Sequence, residues 1–246
     1  MQWKTHAAIT RSVADSLDLV PDLIEVMVEA STEPDRCPLG TRRHEGRWMR
    51  SQHHRPSGRV VKVLAWKARM AFLEGDANGG SRALGLALHY VQDFSVPRCR
   101  SWKRHKEFER NLSTCAIPEL AIALGMENGR STPLFVDACV ASIRPRRDRH
   151  QAMFQATAVS AALATAVLGS LEASDDVEAY IRRKRQVHTY HAPVAIIVGS
   201  IIPLACAASL AGPMAILFVP VPLALLAWNG RRRIDAARLA EWYGID

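Results

Sequence analysis

Two histidine–carboxylate pairs stand out in this chain of 246 residues. His89 and Asp93 are four residues apart, and so are His105 and Glu109. On a helix that spacing sends both side chains of a pair from one face. Each pair therefore offers an imidazole nitrogen and a carboxylate oxygen to a shared point, a donor set that suits zinc. The neighbours Leu86, Leu88, Tyr90, Val91 and Phe94 place the first pair on a buried helix. A carboxylate there requires a partner or a metal. His6, Asp35, His53, His54 and Cys99 add further side chains of ligand type. His44 reads as an ordinary loop histidine and Trp3 as a packing residue.

The stretch Ala87-Leu88-His89-Tyr90-Val91-Gln92-Asp93-Phe94-Ser95-Val96-Pro97 resembles the signature of bacterial zinc-dependent phospholipase C, shared with single-strand-specific zinc nucleases of plants and fungi. In that family a His-x3-Asp pair is followed by a proline, another ligand, and a His-x3-acid pair. Asp93, Pro97, Cys99, His105 and Glu109 keep that order. Trp3 and His6 are similar to the family's N-terminal tryptophan and early histidine, Asp35 to its first acidic ligand, and His53 or His54 to the histidine that follows. The resemblance covers about residues 3–110 and implies a helical fold with two or three zinc ions in a cleft. It implies that Asp93 bridges two ions, that Asp35, His89 and one of His53 and His54 complete one site, and that His6 serves the second. His105 and Glu109, with Cys99, would hold the third. Asp35 and Asp93 are the implied catalytic residues, Asp35 orienting or deprotonating the attacking water. Clustered zinc supplies a nucleophile near neutral pH and neutralises phosphate oxygens. The chain departs from the family in three places, one being the short segment between Cys99 and His105, which implies a different cleft rim. Trp3 lies behind Met1 and Gln2, and Cys99 stands where the family has histidine, a replacement by a good zinc ligand.

The elements that must position these residues read as helices. Thr5 is expected to cap a helix carrying Ile9, Val13 and Leu17 on one face. Residues 21–29 follow as a short helix, and residues 33–58 as a long functional loop. Residues 60–73 are helical again, and 76–80 break the chain. Ser81 is then expected to cap the helix of His89. Further helices fall around His105 and Glu109 and over 118–124, 133–143 and 151–171, the last as a buried core helix. No run alternates long enough to suggest a sheet. The fold class is therefore all-α: a multi-helix domain over residues 1–171 and a charged connector over 172–193. A hydrophobic helical hairpin over 194–229 and a basic tail over 230–246 complete it.

Composition narrows the partners. Net charge is +8, and arginine collects in 42–59, 98–110, 144–149, 182–185 and 231–233. That favours anionic partners: phosphate esters, nucleic acid or an anionic lipid surface. Residues 194–228 carry no Asp, Glu, Lys, Arg or His. The run is too long for one comfortable span and just enough for two short ones, with Gly212-Pro213 at the turn. Basic clusters on both sides predict that both ends, and the metal domain, face the cytoplasm. The lack of an apolar leader and the five unpaired cysteines agree with that placement. The expected function is a membrane-associated zinc-dependent hydrolase of phosphodiester bonds, phospholipase C-like and acting on phospholipid. Two alternatives stand: a zinc nuclease or phosphatase with nucleic acid or nucleotides as substrate, and a non-catalytic membrane-anchored zinc-binding protein.

Overall fold

A computed structural model describes residues 1–36, 42–44, 47–49, 57–97, 99, 101–171, 174–209 and 220–245. For 42–44, 47–49, 102, 202–209 and 220–222 it describes the backbone alone. Among the described residues the chain is all-α apart from one small hairpin, and it divides into two compact units, Met1–Leu171 and Glu172–Asp246.

In the first unit, α1 (Trp3–Ser16) and α2 (Pro21–Arg36) lead to the antiparallel strands β1 (Arg42–His44) and β2 (Arg47–Met49), where Arg43 faces Trp48. Then come α3 (Gly58–Leu73), α4 (Ala77–Phe94), α5 (Trp102–Leu112), α6 (Glu119–Asn128), α7 (Pro133–Ser142) and α8 (Arg149–Leu168). The centre is α4, packed against α1, α2, α3 and α8. It is buried on nearly every side, from Leu84 and Leu88 to His89, Gln92 and Asp93. Its partner α8 also receives α5, α6 and α7. Two glycines permit backbone contact: a Cβ at Gly85 would lie 2.2 Å from the Met27 carbonyl oxygen, and one at Gly125 would lie 2.3 Å from that of Ala158.

The ends of α8 are chemically finished. Asp148 Oδ1 accepts from the Gln151 N–H at 2.8 Å, the N-cap bond that satisfies an otherwise orphaned donor. At the other end Arg69, fully buried on α3, donates to the carbonyls of Val167, Gly169 and Ser170 at 3.0, 2.6 and 2.7 Å. A guanidinium there meets both the unpaired carbonyls and the negative end of the helix dipole. Among the described residues α8 alone is long and apolar enough to cross a membrane, but 61% of its apolar window is buried, and we read it as core.

Several expectations change. Gln2 takes the N-cap of α1, and Thr5 is buried inside the first turn rather than capping. Burial of Val28, Ala30, Ser31, Thr32 and Pro34 carries α2 on to Arg36, so Asp35 belongs to a helix and not to a loop. The segment read as loop and free of sheet also contains β1 and β2. Asp76, not Ser81, caps α4, its carboxylate accepting from the Gly79 N–H at 2.8 Å. The Asp76 carboxylate and the Phe72 ring occupy the space that Cβ atoms on Gly79 and Gly80 would need.

In the second unit the charged connector is itself helical. Ser174 caps α9 (Asp175–Gln186), Asp175, Asp176 and Glu178 sit in its first turn, and Arg183, Lys184 and Arg185 close it, the charge order that complements a helix dipole. A π turn at Val187–His191 joins α9 to α10 (Ala192–Ser209). The basic tail is also helical, part of α11 (Pro220–Trp242), which packs along α10, the π turn and α9. The expected turn at Gly212-Pro213 lies outside the described residues.

Candidate metal centre

Four segments of the first unit meet at one buried point. His6 comes from α1, Asp35 from the last turn of α2, His89 and Asp93 from the end of α4, and Glu109 with His105 from α5. His6 and His89 are fully buried, with ring centroids 4.1 Å apart. His6, His89 and Asp93 form the one group among the described residues whose ligand atoms all fall within 4.8 Å of one another.

The far side of each ring fixes its orientation. His89 Nδ1 lies 2.9 Å from the Ser31 carbonyl oxygen. A backbone carbonyl only accepts, so Nδ1 carries the proton and Nε2 keeps its lone pair. His6 Nδ1 lies 2.6 Å from Gln92 Oε1, while Gln92 Nε2 donates to Thr10 Oγ1 at 3.3 Å and to Ser160 Oγ at 3.2 Å. That arrangement turns the Gln92 oxygen toward His6, which donates to it. Both Nε2 atoms are buried and make no hydrogen bond.

They face Asp93. His6 Nε2 is 3.3 Å from Asp93 Oδ1, and His89 Nε2 is 3.4 Å from Asp93 Oδ2. Two ligands bound tetrahedrally at about 2.0–2.1 Å from one zinc stand about 3.4 Å apart. The separations thus fit ligands around one ion, and paired imidazoles with a carboxylate are a donor set for zinc. Asp35 Oδ2 extends the cluster, 3.6 Å from His6 Nε2. Burial first, and next the charge conflict with the neighbouring His6 ring, hold the His89 pKa well below 6.5, with Asp93 pulling the other way. Its neutral form is the one that ligates.

The second pair joins through a cation. The buried amino group of Met1 lies 2.7 Å from Asp93 Oδ1 and 2.7 Å from Glu109 Oε1. His105 Nε2 is 3.1 Å from the same Glu109 oxygen. Burial lowers the amine's pKa, but the Asp93 and Glu109 carboxylates outweigh it and raise the value to about 10. An ammonium therefore bridges the two carboxylates.

Of the sequence-derived residues, His6, Asp35, His89, Asp93, His105 and Glu109 come together. Cys99 is half-buried, its Sγ 3.9 Å from the Pro97 carbonyl oxygen, and is not among the group within ligand distance. His53 and His54 lie outside the described residues. Trp3 is 48% exposed, with Lys4 Nζ 5.6 Å from its ring centroid, so it packs in no core; Met1 turns inward instead. Sequence reasoning missed Gln92, the Ser31 carbonyl and the Met1 amine. A glutamine on the buried face of a helix was the available signal for the first. Comparison with protein-family models, curated proteins and solved structures finds no match to this chain.

Proposed function

We propose that the first unit is a zinc-dependent hydrolase of phosphodiester bonds, phospholipase C-like in fold and chemistry, and that the second unit is a membrane-embedded hairpin with the metal domain on the cytoplasmic side. The observation that carries the reading is the His89 ring. Its Nδ1–H is committed to the Ser31 carbonyl, and its bare Nε2 faces Asp93 from a buried position. That is the way a protein holds a histidine for a metal. His6, His89 and Asp93 would hold the first ion; a further one on Asp93, Glu109 and His105 would have to displace the Met1 ammonium that lies between the two carboxylates. Bound zinc supplies Lewis acidity and lowers the pKa of water. Asp35, 3.6 Å from His6 Nε2, would orient such a water and take its proton. The exposed apolar residues Val194, Ile197, Val198 and Ile201 of α10, with Leu223, Leu225 and Leu226 of α11, support embedding of the hairpin. That placement favours a phospholipid headgroup as substrate over nucleic acid.

The test combines metal content with turnover. Purified protein should carry at least one zinc per chain and release headgroup from phosphatidylcholine vesicles, with little cleavage of single-stranded DNA. Chelation should stop the reaction and added zinc restore it. Asp93→Asn should lose both metal and turnover while its helical circular dichroism stays. A folded variant that keeps full zinc and activity would sink the assignment.

A further inference from the structure

Midway along the second unit, helix polarity changes. Towards α10 and the start of α11 the exposed side chains are Val194, Ile197, Val198, Leu223, Leu225 and Leu226; on the other side are the exposed Arg182 and Arg231 to Arg233, with Arg185 half-buried. At the change lies a cleft of about 550 Å³, lined by Arg182, Arg185, Gln186, Thr189, Tyr190 and Arg233, with Ala237 beside them. On α9, residues 182, 185 and 186 share a face, as do 233 and 237 on α11. The small Ala237 leaves room between the two rows.

The walls are fixed to each other. His188 Nδ1 lies 3.2 Å from Asn229 Oδ1, and Asn229 Nδ2 donates to the His188 carbonyl at 3.2 Å. This pairing ties the π turn to α11 between the apolar helix and the three arginines. π turns inside helices recur at functional sites, and this one delivers Thr189 and Tyr190 to the cleft. Tyr190 and Trp228 are both exposed at the polarity change, the level where aromatic side chains gather in membrane proteins. Of the three lining arginines, Arg182 is paired, to Glu178 at 2.5 Å. Among the described residues, no carboxylate lines the cleft.

We propose that this cleft binds a negatively charged phosphate group, that of an anionic phospholipid headgroup. Arg185 and Arg233 are the principal ligands, and the Thr189 and Tyr190 hydroxyls serve as further donors. Guanidinium groups match phosphate oxygens in geometry as well as charge. The cleft opens one turn beyond the apolar surface, where a headgroup lies. The lipid assignment rests on the hairpin reading, and the phosphate chemistry does not. Free phosphate offers the same oxygens, so the experiment separates the two sources.

The experiment uses the full chain in detergent, with native mass spectrometry counting retained phosphatidic acid or phosphatidylcholine. Flotation with phosphatidylcholine vesicles is measured in parallel. Phosphatidic acid should bind about tenfold more tightly than phosphatidylcholine, and Arg185→Gln and Arg233→Gln should each lose about tenfold, since each removes a hydrogen bond to a charged phosphate. Arg183→Gln, which removes an exposed charge outside the cleft, should change binding less than about twofold. Asn229→Ala should weaken selectivity without removing charge. Equal losses in Arg183→Gln and Arg185→Gln would overturn the cleft in favour of diffuse attraction. Lack of any lipid preference would overturn it outright, as would single-stranded RNA competing for the arginines better than lipid. Millimolar inorganic phosphate displacing the lipid would support the phosphate chemistry but move its source to solution. A chain that binds phosphate yet floats with no vesicle would refute the hairpin and leave the cleft standing.

Discussion

Gln92 offers the sharpest test of the metal centre, because it touches no ion and no substrate. It is fully buried between α1 and α8, accepting from His6 Nδ1 at 2.6 Å and donating to Thr10 and Ser160. Gln92→Leu keeps much of the volume and removes the acceptor. The His6 N–H is then buried without a partner, at a cost of about 1–3 kcal/mol, and the ring loses what fixes its tautomer. Loss of such an orienting partner lowers metal affinity about 10- to 100-fold, or about 1.4–2.7 kcal/mol. Gln92→Glu keeps the acceptor, and the Thr10 and Ser160 hydroxyls can turn to donate to it. Its zinc affinity should equal or exceed that of the native chain. The assay is competition for zinc against a fluorescent chelator, with circular dichroism reporting the fold. Folded Gln92→Leu protein binding zinc within about twofold of native would refute the reasoning. So would the reverse order of the two variants, because His6 would then accept rather than donate at Nδ1.

Two further outcomes follow from buried charge. Arg69→Met should destabilise the first unit by about 3 kcal/mol, since it strands the three carbonyls at the end of α8; a shift in urea midpoint worth under about 1 kcal/mol would refute the capping role. His89 makes the metal-free protein acid-sensitive. Above pH 6.5 both folded and unfolded states hold it neutral, and below that value only the unfolded state takes up the proton. Stability should therefore fall by up to about 1.4 kcal/mol per pH unit below that point. His89→Gln should remove that part of the slope in urea titrations between about pH 6.5 and 5.5, and an unchanged slope would count against a neutral buried ring.

The sequence was most informative where chemistry repeats at helical spacing. His89 with Asp93 and His105 with Glu109 are legible because four residues on a helix return to one face. His6 and Asp35 could be placed only by order along the chain, since nothing local marks them. Gln92 was hidden by the assumption that a helix has one buried face; α4 is buried nearly all round, so its polar residues serve different neighbours. Helix α9 escaped because periodicity of apolar residues is absent there. Its capping Ser174 and its charge order were present in the sequence and carry the helix instead. The ends of α2 and α4 were misplaced for a tertiary reason. Packing carried one helix through Pro34 and let the other begin across Gly79 and Gly80, against local preference in both cases.

The extension of α2 is what makes the centre possible. Had the helix stopped near residue 29, neither the Ser31 carbonyl nor Asp35 would have a fixed position. Continued through Pro34, it sets those two residues one turn apart on one face. One then orients His89 and the other stands 3.6 Å from His6. The spacing between α2 and α4 is fixed one turn earlier in each helix, where Gly85 meets the Met27 carbonyl. A side chain at Gly85 would part them just before the bond that holds the His89 ring. The accuracy of the metal centre thus depends on a glycine with no ligand atom of its own. It depends equally on a proline helix whose lost backbone bond is offset by burial against α4.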